Sequence, residues 1–161
     1  MKPFNIVLFA PEIPQNTGTI GRLAVSTDSK LHLIEPLGFS LEDKFLKRAG
    51  LDYWQFLAPS IHKSWEAFLL DQQPERMFFI STHGKKDFFD MEFLPGDYLI
   101  FGRESAGLPE ELHQQYPERF CRIPMPGEFN RSLNLANAAS IVLYEALRQN
   151  RNFWCDNVKS N

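Results

Sequence analysis

Apolar residues along the chain come in short runs broken by Pro, Gly or charge: Phe4–Ala10, Leu31–Glu35, Arg76–Ser81, Asp97–Gly102 and Phe120–Ile123. Runs of that length predict strands buried on both faces of a sheet. Between them the spacing changes to that of helices. Gln15–Ser26 places Ile20, Leu23 and Ala24 on one side, Lys63–Leu70 carries Trp65, Phe68 and Leu69, and Asn134–Gln149 lines up Leu135, Ala138, Val142 and Ala146. A charged helix is expected over Glu42–Ala49, and another over Pro109–Gln115 with Pro at its first helical position. Strands alternating with helices predict an α/β fold, a mainly parallel sheet with helices on both faces, spanning residues 1–161 as one domain. The pattern contains no repeat, low-complexity tract or interdomain linker.

Composition narrows this frame. A length of 161 residues, 43% of them hydrophobic and 15 of them Phe, supports one substantial core. The formal charge of −3 is unusual for a protein that grips nucleic acid by neutralising phosphates, so an RNA partner would require basic residues gathered on one face or across a dimer. Cys121 and Cys155 form neither a CxxC nor a disulfide framework, which points to a reducing compartment. The opening apolar run is ended by Pro11-Glu12, too early for a signal peptide or a membrane span, and it is expected to be a buried strand of a cytoplasmic protein. His32, His62, His83 and His113 lack metal-ligand spacing, and no nucleophile elbow supports a hydrolase triad.

In an open α/β sheet, ligands bind beyond the carboxyl ends of the strands, which directs attention to three loops. The first, Pro11–Arg22, offers Asn16 or Thr17 as a helix cap, and Gly18 and Gly21 where another backbone or an RNA phosphate could approach closely. It has the spacing of neither a Walker loop nor a Rossmann GxGxxG. The second, Phe101–Pro109, brackets Arg103-Glu104 between Gly102 and Gly107, a tight turn with Glu104 held by a helix start or a basic neighbour. The third, Ile123–Ala139, is Pro-rich and then polar at Ser132, Asn134 and Asn137, where the last helix begins. It could bracket an adenine between backbone groups and Ile123, Met125 and Leu133. Each loop taken alone is also consistent with ordinary capping and turn chemistry.

Taken together and in this order, NTGTIGR, FGRESAGL and IPM…RSLNLANA resemble the three motifs of the SPOUT RNA methyltransferase superfamily. The flanks PEIPQNTGTIGRLA, LHLIEPLGF, Ala49–Tyr53, GDYLIFG and YEALRQ are similar to the branch that methylates the 2′-hydroxyl of the wobble cytidine or uridine of tRNA. The stretch from Met125 to Arg131, which includes Phe129, is slightly longer than that branch's pattern.

The resemblance implies a C-terminal trefoil knot and the cofactor S-adenosyl-L-methionine. By motif position, cofactor contacts fall at Ile80, Ser81, Gly102, Glu104, Ile123, Met125, Ser132 and Leu133. It implies attack of a ribose 2′-hydroxyl on the sulfonium methyl, releasing S-adenosylhomocysteine and needing no metal. Arg22 and Asn16 are the implied catalytic residues. Because arginine stays protonated, stabilising the developing alkoxide or orienting the adjacent phosphate suits Arg22 better than acting as a literal base. The expected substrate is a tRNA, with leucine tRNAs favoured, and the expected assembly is a homodimer. Candidate RNA contacts are Lys44, Lys47 and Arg48, spaced as one helical face, together with Arg148 and Arg151. The alternatives are 2′-O-methylation at another tRNA or rRNA site, and a noncatalytic RNA-binding dimer.

Overall fold

The computed structural model describes residues 2–42, 54–128 and 131–154. Strands β1 (Asn5–Phe9), β2 (Lys30–Ile34), β3 (Ser60–His62), β4 (Met77–Ile80), β5 (Lys86–Asp87), β6 (Tyr98–Phe101) and β7 (Phe120–Arg122) form one sheet. Its order is β3-β2-β1-β6-β4-β7-β5. Every pairing between these strands is parallel, with Ile6 opposite Leu31 and Leu99, for example, and Phe79 opposite Ile100 and Phe120. The last strand in sequence, β7, thus lies between two earlier ones.

The helices are α1 (Pro14–Ser26), α2 (Trp54–Leu57), α3 (Trp65–Gln72), α4 (Glu110–Gln115), α5 (Leu135–Gln149) and α6 (Arg151–Trp154). Alternation within β1 sends Ile6 and Leu8 into a core shared with Ile20 and Ala24 of α1 and with Ala139, Val142, Leu143 and Ala146 of α5. Val7 points the other way, into a layer with Trp65 and Phe68 of α3, Phe79, Ile100, Leu112 of α4 and Phe120. Burial on both faces is why these strands read as continuous apolar runs. The charged helix expected over Glu42–Ala49 falls, from residue 43 on, outside the described residues, as do Ala49–Tyr53, Phe129 and Cys155.

Three local expectations are corrected. Neither Asn16 nor Thr17 caps α1; the helix begins at Pro14 with Ile13 at its cap position, because proline's fixed φ and missing N–H suit the first helical residue. Pro109, expected inside α4, precedes it, and the helix starts at Glu110. Gly18 and Gly21 are buried within α1, so the close approach they permit there is to packed protein and not to a phosphate. Asn134 does cap α5, its Oδ1 accepting from the N–H groups of Ala136 and Asn137 at 2.9 and 3.3 Å.

A polar line crosses the α3 side of the sheet. His32 Nε2 lies 3.3 Å from Asn5 Oδ1, His32 Nδ1 lies 3.2 Å from His62 Nε2, and His62 Nδ1 lies 3.6 Å from Asp71 Oδ2. Neutral rings satisfy the first two contacts, with each Nε2–H donating. Burial first, then nearby His62 and Lys30, push the His32 pKa from 6.5 down to about 4 against the opposing pull of Asp71. The unfolded chain therefore binds this proton more tightly than the folded one. The associated stability is intact above pH 6.5 and is lost as pH falls toward 4, an effect on the order of 3 kcal/mol. Urea unfolding from about pH 7 down to about pH 5 is expected to weaken wild type more steeply than His32→Asn. Equal slopes would remove this pair from the acid response.

Candidate functional site

Beyond the carboxyl ends of β4, β6 and β7, the three loops enclose a cavity of about 440 Å³, within the usual range of roughly 300–1,000 Å³ for small-molecule sites. Its wall contains Ile80, Ser81, Gly102, Glu104, Ile123, Met125, Ser132 and Leu133, which is every position assigned by motif to the cofactor. Asn16 also reaches it. The sheet explains the convergence, since parallel strands deliver Ile80, Phe101 and the segment after Arg122 to one edge. Thr82, His83, Ser105, Leu108, His113 and Asn134 line the cavity as well. The histidines had no local pattern to mark them. Their signal is topological, because the residues following β4 meet α4 only once the sheet is assembled.

The second loop is a closed turn. Arg103 N–H donates to Gly107 O at 3.2 Å, Gly107 N–H donates to Arg103 O at 2.9 Å, and Gly107 has φ +69°. A Cβ on Gly102 would lie 2.2 Å from the Gly107 carbonyl carbon and 2.4 Å from Leu108 N, so glycine is required for the loop to fold back on itself. Close backbone contact recurs at Gly84, where a Cβ would meet the Cys121 carbonyl carbon at 2.4 Å.

Side chains tie the loops together. Glu104 accepts from the backbone N–H groups of Glu12 and Ile13 at 2.8 and 3.1 Å and from Asn16 Nδ2 at 3.1 Å. It is thus held at a helix start, that of α1, and it satisfies donors that no local side chain caps. Asn16 Oδ1 accepts in turn from Asn134 Nδ2 at 2.9 Å, which joins the third loop. Both functional ends of the buried Asn16 amide are therefore engaged within the protein. Glu12, which the sequence did not single out, accepts from Ser105 N–H and Ser105 Oγ–H, each at 2.9 Å. Those bonds, with Arg103 nearby, hold its carboxyl below the usual carboxylate range.

Arg22 lies elsewhere. It is exposed on α1, two turns beyond the helix start, and does not line the cavity. Of the basic residues proposed for RNA, Lys44, Lys47 and Arg48 fall outside the described residues. Arg148 is exposed but paired with Glu145 through bonds of 2.7 and 2.9 Å, and Arg151 is exposed on α6. Burial pushes the Cys121 thiol up to about 12, which leaves it un-ionised near neutral pH and unsuited to nucleophilic chemistry. His113 stacks on Phe120, and burial lowers its pKa. Among the described residues no cluster of His, Cys, Asp or Glu could hold a metal ion, and no helix is long and apolar enough to cross a membrane.

A parallel sheet bearing a glycine-dependent, loop-enclosed cavity at its carboxyl edge defines an α/β protein built to hold a nucleotide-sized ligand beside an exposed arginine-bearing helix. The chain belongs to the SpoU rRNA Methylase family, whose model matches residues 3–144. It is 52% identical to a tRNA (cytidine(34)-2'-O)-methyltransferase of Acidovorax sp. (strain JS42) over 151 residues, 91% of this chain and 92% of the relative. It is 49% identical over 146 residues to the protein of that name from Escherichia coli (strain K12), covering 90% of this chain and 92% of the relative. A solved structure concerned with 2-OH methylation of C/U34 on tRNA superposes with a TM-score of 0.87 at 45% identity, covering 94% of this chain and 98% of the other. AviRb, a SpoU methyltransferase from Streptomyces viridochromogenes in complex with AdoMet, superposes at 0.78 with 28% identity, covering 94% of this chain and 62% of the other.

Proposed function

We propose that this protein is an S-adenosylmethionine-dependent methyltransferase that modifies the ribose 2′-hydroxyl of the wobble nucleotide, cytidine or modified uridine, of tRNA, with leucine tRNAs as its substrates. The observation that carries this reading is the gathering of all three motif loops around one cavity. The relatives that bear the corresponding name match over nearly their whole length, which favours a tRNA over a ribosomal substrate.

The cavity fits the cofactor chemically. Ile80, Ile123, Met125 and Leu133 supply apolar surface for a purine, while Ser81, Ser132 and the glycine-built turn add polar residues beside them. When bound, S-adenosylmethionine supplies an electrophilic methyl group. Gly102, Glu104 and Ser132 hold and orient the ligand, Asn16 fixes the loops that surround it, and Arg22 faces the RNA. There its guanidinium stabilises charge developing on the ribose oxygen or grips the neighbouring phosphate. Orientation of the two reactants accounts for much of the acceleration.

The protein acts in the cytoplasm, where its substrate lies, and as a homodimer. Ile141 and Tyr144, three residues apart on α5, are 38% and 54% exposed and form an apolar face suited to a second copy. Arg148 and Arg151 extend that side toward RNA, and Lys44, Lys47 and Arg48 are further RNA contacts in this reading. The C-terminal segment is threaded as a trefoil knot, a reading supported by the position of β7 between β4 and β5.

A leucine tRNA transcript and its counterpart with a 2′-deoxyribose at the wobble position test the substrate directly. Methyl transfer to the first and none to the second is expected. Equal transfer to both would place the reaction at another nucleotide.

A further inference from the structure

We infer that Glu12 is a positioning residue for the cofactor cavity, acting from outside it by fixing the loop that contains Gly102 and Glu104. The inference rests on the reading of that cavity as the cofactor site. Its basis is a reciprocal exchange between two segments far apart in the chain. Glu104 takes the backbone N–H groups of Glu12 and Ile13, while Glu12 takes the backbone N–H and the hydroxyl of Ser105, the residue after Glu104. Each carboxylate thus grips the backbone next to the other, and the exchange closes into a ring. Sliding the cofactor loop along α1 would break bonds on both sides of that ring together, and bonds to ionised acceptors are the stronger kind.

Three of the side chains in the assembly, Asn16, Glu104 and Asn134, face the cavity, as does Ser105, so replacing any of them removes wall atoms as well as a tie. Glu12 is the exception. It is absent from the wall, and its carboxylate hydrogen-bonds the wall through Ser105, with Arg103 of the same loop nearby. A substitution there changes the placement of the loop without changing what the ligand touches. The segment is itself braced from behind, since Gly38 N–H donates to Pro11 O at 2.9 Å and a Cβ on Gly38 would lie 2.7 Å from Glu12 Cα. Glu12 therefore presents its carboxylate from a fixed backbone.

Calorimetric titration of the full-length protein with S-adenosylhomocysteine, paired with thermal melting of the unliganded protein, tests this. Glu12→Gln keeps the side chain's length but removes the charge and one of the two acceptor oxygens, so the Ser105 hydroxyl must turn from donor to acceptor and both bonds lose their ionised partner. Its Kd is expected to rise roughly tenfold or more while the melting temperature stays close to that of wild type. Ser105→Ala, which retains the backbone N–H bond, is expected to weaken binding by a few fold, and the double variant to be no weaker than Glu12→Gln alone, as for one shared interaction. Wild-type affinity in Glu12→Gln, or additive losses in the double variant, would overturn the positioning role while leaving the cavity's identity intact. Failure of wild type itself to bind S-adenosylhomocysteine would overturn the underlying reading and this inference with it. Should Glu12→Gln melt well below wild type, titration at a temperature where both proteins are folded decides, and affinity there equal to that of wild type overturns the role.

Discussion

Gly102→Val is expected to lose S-adenosylhomocysteine binding by at least about a hundredfold, and methyl transfer with it. The first atom added would already lie 2.2 Å, 2.4 Å and 2.6 Å from backbone atoms of Gly107 and Leu108. No flexible side-chain end is available to yield. The turn closed by Arg103 and Gly107 must open, and buried Leu108 must shift or Phe101 must leave its strand register. Overpacking of this kind costs about 1–3 kcal/mol even where neighbours can adjust. Gly127→Ala is the matched control, since a Cβ there has nothing within 4 Å, and it is expected to bind like wild type. Titration of both variants decides the matter. A Gly102→Val protein with near-normal affinity would show that the turn is not part of the ligand site.

Arg22→Ala should separate chemistry from cofactor binding. Because Arg22 is exposed on α1 and does not line the cavity, its loss should leave S-adenosylhomocysteine affinity unchanged. The rate at saturating cofactor and tRNA is expected to fall roughly a hundred- to a thousandfold, as when one donor to a developing oxyanion is removed. Arg22→Lys restores charge but not the planar fork, so partial recovery would favour charge stabilisation and no recovery would favour paired contact with phosphate or ribose. An undiminished rate in Arg22→Ala would remove the residue from the reaction.

Much of this architecture is legible in the chain because parallel strands covered on both faces must be apolar at successive positions, as β1, β4 and β6 are. Two strands escaped that criterion. Ser60–His62 and Lys86–Asp87 sit at the sheet's two edges, are short, and carry polar residues that need no apolar partner. The cap of α5 was visible because Asn134 serves its own helix. The start of α1 was not, since Ile13 offers no side-chain acceptor and the carboxylate that meets its N–H groups comes from Glu104 on another loop. Local sequence reports local partners, and a tie made across the sheet leaves no mark on either segment.

The candidate site divides along the same line. Gly102, Ser132 and their companions could be placed by motif, and the fold brings them to one cavity. Glu12, His83 and His113 depend on which loops the sheet juxtaposes. Asn16 stands between these cases: its place in the motif was plain, whereas its engagement by Glu104 and Asn134 identifies it as a fastening of the loops. Arg22 lies two turns along α1, because the helix begins at Pro14 and not at a side-chain cap farther on.

The most direct test of the account is transfer of labelled methyl groups from S-adenosylmethionine to total tRNA lacking wobble ribose methylation, followed by nuclease mapping, with Arg22→Ala as control. Label on the wobble ribose of leucine tRNAs, lost in the control, is the predicted result. Measurable cofactor binding without any transfer to tRNA would contradict it.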